Sequence, residues 1–293
     1  MTRSLEKSEE KSEEKTTRRA WMWRCLAAGS ATLAGCASGS LLDASTRKNR
    51  AQWEFHQRFL ASGAGFRYHP YGGQGRPWTA QMEQAWQAHR RDPRVGYVVK
   101  NLRTGYTLAE FQADRVFFGG SMPKPAIAAI LLERRQGRLS YEEFMHIVKV
   151  CDKSENSSWA ALHSRVTPAD EAAFRSKYRL PAVNVLGNML TPRFIADFYG
   201  RSVNYQFDYG GELLLEAMRR DQYGFGRLYL PRHITYVGGK TGNYGEWDHE
   251  SLFFYSGSTP YAIVLFTRGH FAPGKHNWQL GAMMGGLFRE YCA

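Results

Sequence analysis

Cysteine is scarce in this chain: four residues among 293, at positions 25, 36, 151 and 292. Their spacings fit no zinc site, so a zinc-held fold is excluded. Long apolar runs are also missing. The stretch after Arg18 and Arg19 is far shorter than the roughly 20 apolar residues that a membrane span needs. Acid is short relative to base, with 27 Asp and Glu against 39 Lys and Arg and a formal charge of +12. Those bases form no stripe interleaved with aromatics and no known reader motif, which argues against nucleic acid. Such a balance fits a basic surface drawn to anionic envelope polymers or lipid headgroups.

The chain does have material for a core. It is 43% hydrophobic and 14% aromatic, enough for one domain of roughly 230–250 residues. Residues 1–16 repeat a Ser-Glu-Glu-Lys theme and are expected to be disordered. Arg18 and Arg19, a short apolar stretch and the ending Leu33-Ala34-Gly35-Cys36 have the three parts of a secretory signal. The ending resembles a bacterial lipobox, which implies cleavage before Cys36 and a lipid on its sulfur. The arginine pair also resembles a twin-arginine export signal. Residues 36–293 keep 32 basic and 22 acidic residues, so the positive charge belongs to the folded part. The expected plan is a signal over 1–35, a lipidated tether with a helix and loop over 36–77, and a catalytic domain over 78–293. An exported domain permits a disulfide between Cys151 and Cys292 but does not require one.

Periodicity predicts helices over 50–60 and 79–90, then a hairpin of strands over 95–100 and 106–111. A helical stretch follows, with helices over 141–150, 159–164 and 168–178. One more starts at Thr191-Pro192-Arg193, with Thr191 as N-cap and Pro192 in the first turn. Strands resume over 234–239, 251–255 and 261–267, and an amphipathic helix closes the chain. This order predicts an α+β fold: an antiparallel five-stranded sheet flanked by N- and C-terminal helices, plus an all-helical lobe. The sheet lobe would take 78–118 and 230–293, and the helical lobe 119–229.

The chemistry centres on Gly119 to Glu133. A strand pattern leads into a small-residue turn, then Ser121, then an apolar helix. Ser-x-x-Lys occurs five times in the chain, but only Ser121 and Lys124 have a strand before and a buried helix after. A serine hydroxyl needs a base beside it, and a lysine crowded by another cation in a desolvated site can lose its proton and serve. Pro123 and Pro125 fit the first helical turn, where no N–H is required of them.

Ser121-x-x-Lys124, Ser154-x-Asn156 and Lys240-Thr241-Gly242 follow in that order. The ordered set resembles the penicillin-recognising serine enzymes, namely class A β-lactamases and low-molecular-weight D-Ala-D-Ala peptidases. The segments VGYVVKNLRTGYTLAEFQADRVFFGGSMPK and NMLTPRFIADFY resemble class A β-lactamase segments. The resemblance implies a serine hydrolase that forms an acyl-enzyme at Ser121 with a β-lactam or related amide. A D-Ala-D-Ala carboxypeptidase-like peptidoglycan peptidase and a non-hydrolysing β-lactam- or peptidoglycan-binding lipoprotein are the alternatives.

By the same resemblance, Lys124 is the base and Ser154 relays a proton. Asn156 binds Lys124 and the substrate amide, and Lys240, Thr241 and Gly242 form the carboxylate-binding strand. Asn243 gives an oxyanion N–H, and Arg268 is a candidate second cation for the carboxylate. No metal or organic cofactor is implied. The expected protein is a monomer, exported and held on the periplasmic side of the envelope by lipid on Cys36.

Two departures stand out. Ser121 and Ser154 are only 33 positions apart, shorter than the class A pattern. Class A enzymes also carry a Glu before the Thr-Pro helix that activates the water freeing the acyl group, whereas residues 181–190 here hold no carboxylate. Glu171, upstream, reads as a solvated helix residue. Glu246 and Asp248 follow the Lys-Thr-Gly strand near the rim.

Overall fold

The computed structural model describes residues 72–219, 221, 223–269 and 278–293. The signal, Cys36, the tether and the helix expected over 50–60 lie outside them. The described residues all fall in one compact unit, and none of their helices is long and apolar enough to cross a membrane.

Helix α1 (Ala80–His89) starts where Thr79 caps the Met82 N–H. The hairpin follows as β1 (Val95–Asn101) and β2 (Thr107–Phe111), then a two-residue strand β3 (Phe117–Phe118) leads into the Ser121 turn. Helices α2 (Lys124–Arg134), α3 (Tyr141–Asp152), α4 (Asn156–His163) and α5 (Pro168–Lys177) come next. The two-residue strand β4 (Met189–Leu190) pairs with β3 ahead of α6 (Pro192–Val203) and α7 (Gly211–Arg219). Thr191 caps α6 as expected, accepting the Phe194 N–H at 3.1 Å. Strands β5 (Thr235–Tyr244), β6 (Trp247–Ser256) and β7 (Thr259–Arg268) and helix α8 (Trp278–Tyr291) complete the order.

The five-stranded sheet has the order β2-β1-β7-β6-β5 with every pairing antiparallel. Its strands alternate between two cores, as a period of two requires. Val98, Phe253, Ala262, Val264 and Phe266 face one cluster, shared with α2 to α7. Val95, Tyr97, Val99, Leu252, Phe254, Ile263 and Leu265 face the other, against α1 and α8. The predicted α+β architecture is therefore the observed one.

Three details differ from expectation. Helix α7 carries no strong sequence marker at either end and was not anticipated. Strand β6 starts four residues earlier than its apolar run, because Trp247 to Glu250 pair in register with both neighbours. Cys151 and Cys292 are both free. Cys151 lies in the core under α2 to α7, and Cys292 packs against the core on the opposite face of the sheet, so no bridge joins them.

Candidate active site

The Ser121 turn is fixed before its helix begins. Residues 120–123 form a turn, and α2 starts at Lys124 with Pro123 at its cap and Pro125 in its first turn. Gly120 has φ +57°, and a Cβ there would lie 3.1 Å from the Asn243 nitrogen, so only glycine lets the turn meet β5 this closely. A Cβ on Gly242 would lie 2.3 Å from the Gly119 carbonyl oxygen, closing the same approach from the other side. Two further groups hold the turn. The Gly119 N–H donates to the Asn188 carbonyl oxygen at 2.8 Å, and Asn188 Nδ2 donates to the Gly120 carbonyl oxygen at 2.9 Å. His249, fully buried, lies 2.7 Å through Nε2 from the Phe118 carbonyl oxygen.

Lys124 is only 3% exposed. Its Nζ donates to Asn156 Oδ1 at 2.8 Å, to Ser154 Oγ at 3.1 Å and to the Ser154 carbonyl oxygen at 2.5 Å. Ser154 presents both oxygens because it takes a left-handed φ of +56° at the junction of α3 and α4, an unfavourable conformation for a residue other than glycine. Burial pulls the Lys124 pKa down to about 8, and the charge of Lys240 pushes in the same direction. An amine with that pKa is a usable base near neutral pH.

Lys240 is wholly buried on β5, and the strand continues through the Lys-Thr-Gly segment to Tyr244. β5 is the last strand of the sheet among the described residues, and the Asn243 nitrogen lies close to Gly120 of the Ser121 turn. Lys124 thus joins Ser154 and Asn156, the Lys240 charge acts on it, and the turn carrying Ser121 abuts the Gly242–Asn243 backbone that follows Thr241.

Arg268 is not brought to that group. It lies on β7, two strands from β5, where its Nε bonds Glu246 Oε1 at 2.8 Å and its guanidinium covers the Trp247 ring. The second-cation role therefore does not fit its position. The rim acids are also engaged: Glu246 by Arg268, and Asp248 by Asn243 Nδ2 at 2.9 Å.

Glu171 corrects the sequence reading in a different way. It is buried rather than solvated. Its carboxylate accepts the N–H groups of Val185 and Leu186 at 2.9 and 3.0 Å, and Arg175 Nε lies 3.3 Å away. Those bonds pin the short 184–189 loop, which the Asn184 and Met189 backbones close on each other. This carboxylate is spent on holding backbone.

A buried charged group behind Lys240 escaped sequence reasoning. Asp221 Oδ1 lies 3.8 Å from Lys240 Nζ, and burial raises its pKa. Glu250, opposite Thr241 in the register, is fully buried and pushed up to about 8 by desolvation. Its Oε1 accepts the Gly226 N–H, while its Oε2 has no hydrogen-bond partner among the described residues. Arg227 is buried alongside both acids. The one sequence signal for this group was an acid at position 250, directly before the apolar run that starts at 251.

No protein-family model and no curated protein sequence matches the chain. Solved structures do. A β-lactamase from Chitinophaga pinensis superposes with a TM-score of 0.59 at 15% identity, covering 72% of this chain and 97% of its own. A β-lactamase from Desulfarculus baarsii gives 0.57 at 17% identity, covering 73% of this chain and 98% of its own. An ancestral class A β-lactamase gives 0.58 at 15% identity, covering 72% and 98%. With the sheet order and the two cores already described, these likenesses identify the architecture: the chain has the fold of the class A β-lactamases.

Proposed function

We propose that this protein is a serine hydrolase that forms an acyl-enzyme at Ser121 with a β-lactam or a related amide. The observation that carries the reading is buried Lys124, held by Ser154 and Asn156 with its pKa lowered to about 8, so that its neutral amine is available as a base. Ser121 Oγ bonds to the carbonyl carbon while its proton passes to Lys124 Nζ. The oxyanion rests on the N–H groups of Ser121 and Asn243. Collapse breaks the C–N bond, and a proton carried from Lys124 through Ser154 Oγ goes to the leaving nitrogen. Lys240 and Thr241 receive the substrate carboxylate, and Asn156 its amide side chain. Water then cleaves the ester and restores the Ser121 hydroxyl.

A second reading, a D-Ala-D-Ala-type peptidoglycan peptidase that releases its acyl group slowly from penicillin, is favoured by the engagement of Glu171 with backbone. General-base activation of water is worth about 10²–10⁴-fold, so losing the usual carboxylate slows the second half-reaction. The proposal includes export and a lipid on Cys36, which palmitate labelling in a bacterial host and its loss in Cys36→Ala would test.

The intact mass of the purified protein after mixing with benzylpenicillin tests the main reading. A mass shift present in the native protein and absent in Ser121→Ala supports it. Decay of that shift as penicillin is consumed indicates a β-lactamase, and persistence indicates the peptidase or a binding protein. A shift that survives in Ser121→Ala, or no shift at all, overturns acylation at Ser121.

A further inference from the structure

Strand β5 does not stop at the oxyanion position. Tyr244 follows Asn243 and is 65% exposed. Its ring centroid lies 5.3 Å from that of Phe118, with the planes tilted by 46°. Phe118 in turn pairs with Met189 across β3 and β4, and Met189 is 38% exposed. Phe118 thus contacts Tyr244 and stands opposite Met189 in the register, beside the Ser121 turn, since Phe118 precedes Ser121 by three residues and Tyr244 adjoins Asn243.

This surface is built on rigid parts. The Phe118 carbonyl is held by His249, and Met189 ends the loop that Glu171 and Asn184 fasten down. Its location also fixes which part of a substrate would reach it. Along β5, Lys240 and Thr241 come first, Asn243 next and Tyr244 last. At about 3.3 Å per residue, Tyr244 stands roughly 10 Å beyond Thr241. If the carbonyl oxygen rests at Asn243 and the leaving side with its carboxylate lies toward Thr241 and Ser154, Tyr244 is on the acyl side. Exposed apolar side chains gathered beside convergent polar groups mark a ligand-binding surface.

Building on the proposed acyl-enzyme reading, we infer that Phe118, Met189 and Tyr244 form a specificity shelf for an apolar, ring-sized substituent on the acyl side of the substrate. The shelf selects among acyl groups and takes no part in bond breaking. Phe118 and Tyr244 receive the ring on their faces, and Met189 closes one side with a flexible thioether that adapts to its shape.

Two penicillins that differ by one ring test this: benzylpenicillin and 6-acetamidopenicillanic acid, which carries a methyl in place of the benzyl group. The readout is the second-order rate of acylation of the purified protein, followed by intact mass. The native protein should favour benzylpenicillin by about tenfold, the scale of burying one ring. Tyr244→Ala and Met189→Ala should each reduce that preference, the double variant should bring it near unity, and Tyr244→Phe should retain it. Equal rates for the two penicillins in the native protein, or a preference unchanged by the alanine variants, overturn the shelf and leave Ser121 acylation standing. No acylation by either penicillin overturns the acyl-enzyme reading and the shelf with it.

Discussion

If Lys124 is the base that takes the Ser121 proton, acylation must follow its titration. Burial is the larger reason for its lowered pKa, and the Lys240 charge adds to it. With a midpoint near 8, about 10% of the amine is neutral at pH 7 and about 1% at pH 6, while nearly all is neutral above pH 9. The acylation rate should therefore rise about tenfold from pH 6 to 7 and about fivefold from pH 7 to 8, and level off by about pH 9. Benzylpenicillin acylation, quenched at intervals and read by intact mass across pH 6 to 9.5, measures it. Lys240→Met separates the two causes. It removes the neighbouring charge but leaves Lys124 buried, so the midpoint should move up toward, without reaching, the ordinary lysine value of 10.5. The plateau also falls in that variant, because a substrate-binding cation is lost, so the position of the limb is the quantity to compare. A rate flat between pH 6 and 9 would refute the assignment of Lys124 as the base, and a midpoint that Lys240→Met leaves in place would refute the part given to the Lys240 charge.

Other outcomes follow from the bonds described. Glu171→Ala strips two backbone N–H groups of their acceptor and should cost about 2–4 kcal/mol in urea unfolding while still allowing acylation; unchanged stability with blocked deacylation would instead make Glu171 the hydrolytic base. Burial pulls the His249 pKa down to about 4 from 6.5, so the unfolded chain takes up a proton in that window that the folded chain refuses. Its contribution to stability is complete above pH 6.5, declines as pH falls toward 4 and totals about 3 kcal/mol, so His249→Phe should flatten the urea midpoint against pH over that range. Arg268→Ala should change the benzylpenicillin acylation rate less than about twofold, since Arg268 spends its charge on Glu246 at a partly exposed site; a tenfold fall would return it to the carboxylate site.

The sequence disclosed the motif residues because their local elements are strongly marked. Two prolines and an apolar run frame Ser121 and Lys124, and Thr191-Pro192 announces α6 as a cap followed by a first-turn proline. The sheet was legible from alternating apolar positions, apart from the start of β6, where buried His249 and Glu250 break the apolar pattern. What stayed hidden depended on distant chain segments meeting. Glu171 resembles any acid in the first turn of a helix until residues 185 and 186 fold back onto it. Arg268 ends a strand in either reading, and only the order of strands places it two positions away from Thr241. Asp221, Arg227 and Glu250 are separated in sequence and become a group only when the segment that carries Asp221 and Arg227 packs on β6, where Gly226 N–H meets Glu250.

The turn that carries Ser121 is gripped from the loop ahead of β4 by Asn188, from β6 by His249 and from β5 by the close passage of Gly242. None of these grips uses the substrate. If Ser121 acylates as proposed, its position is set when the chain folds, and little ordering remains for the moment of binding. Under that reading acylation and tertiary structure are a single cooperative property: on heating, acylating capacity should vanish along the same curve as the near-UV circular dichroism, with no earlier phase in which an intact fold carries a slack Ser121.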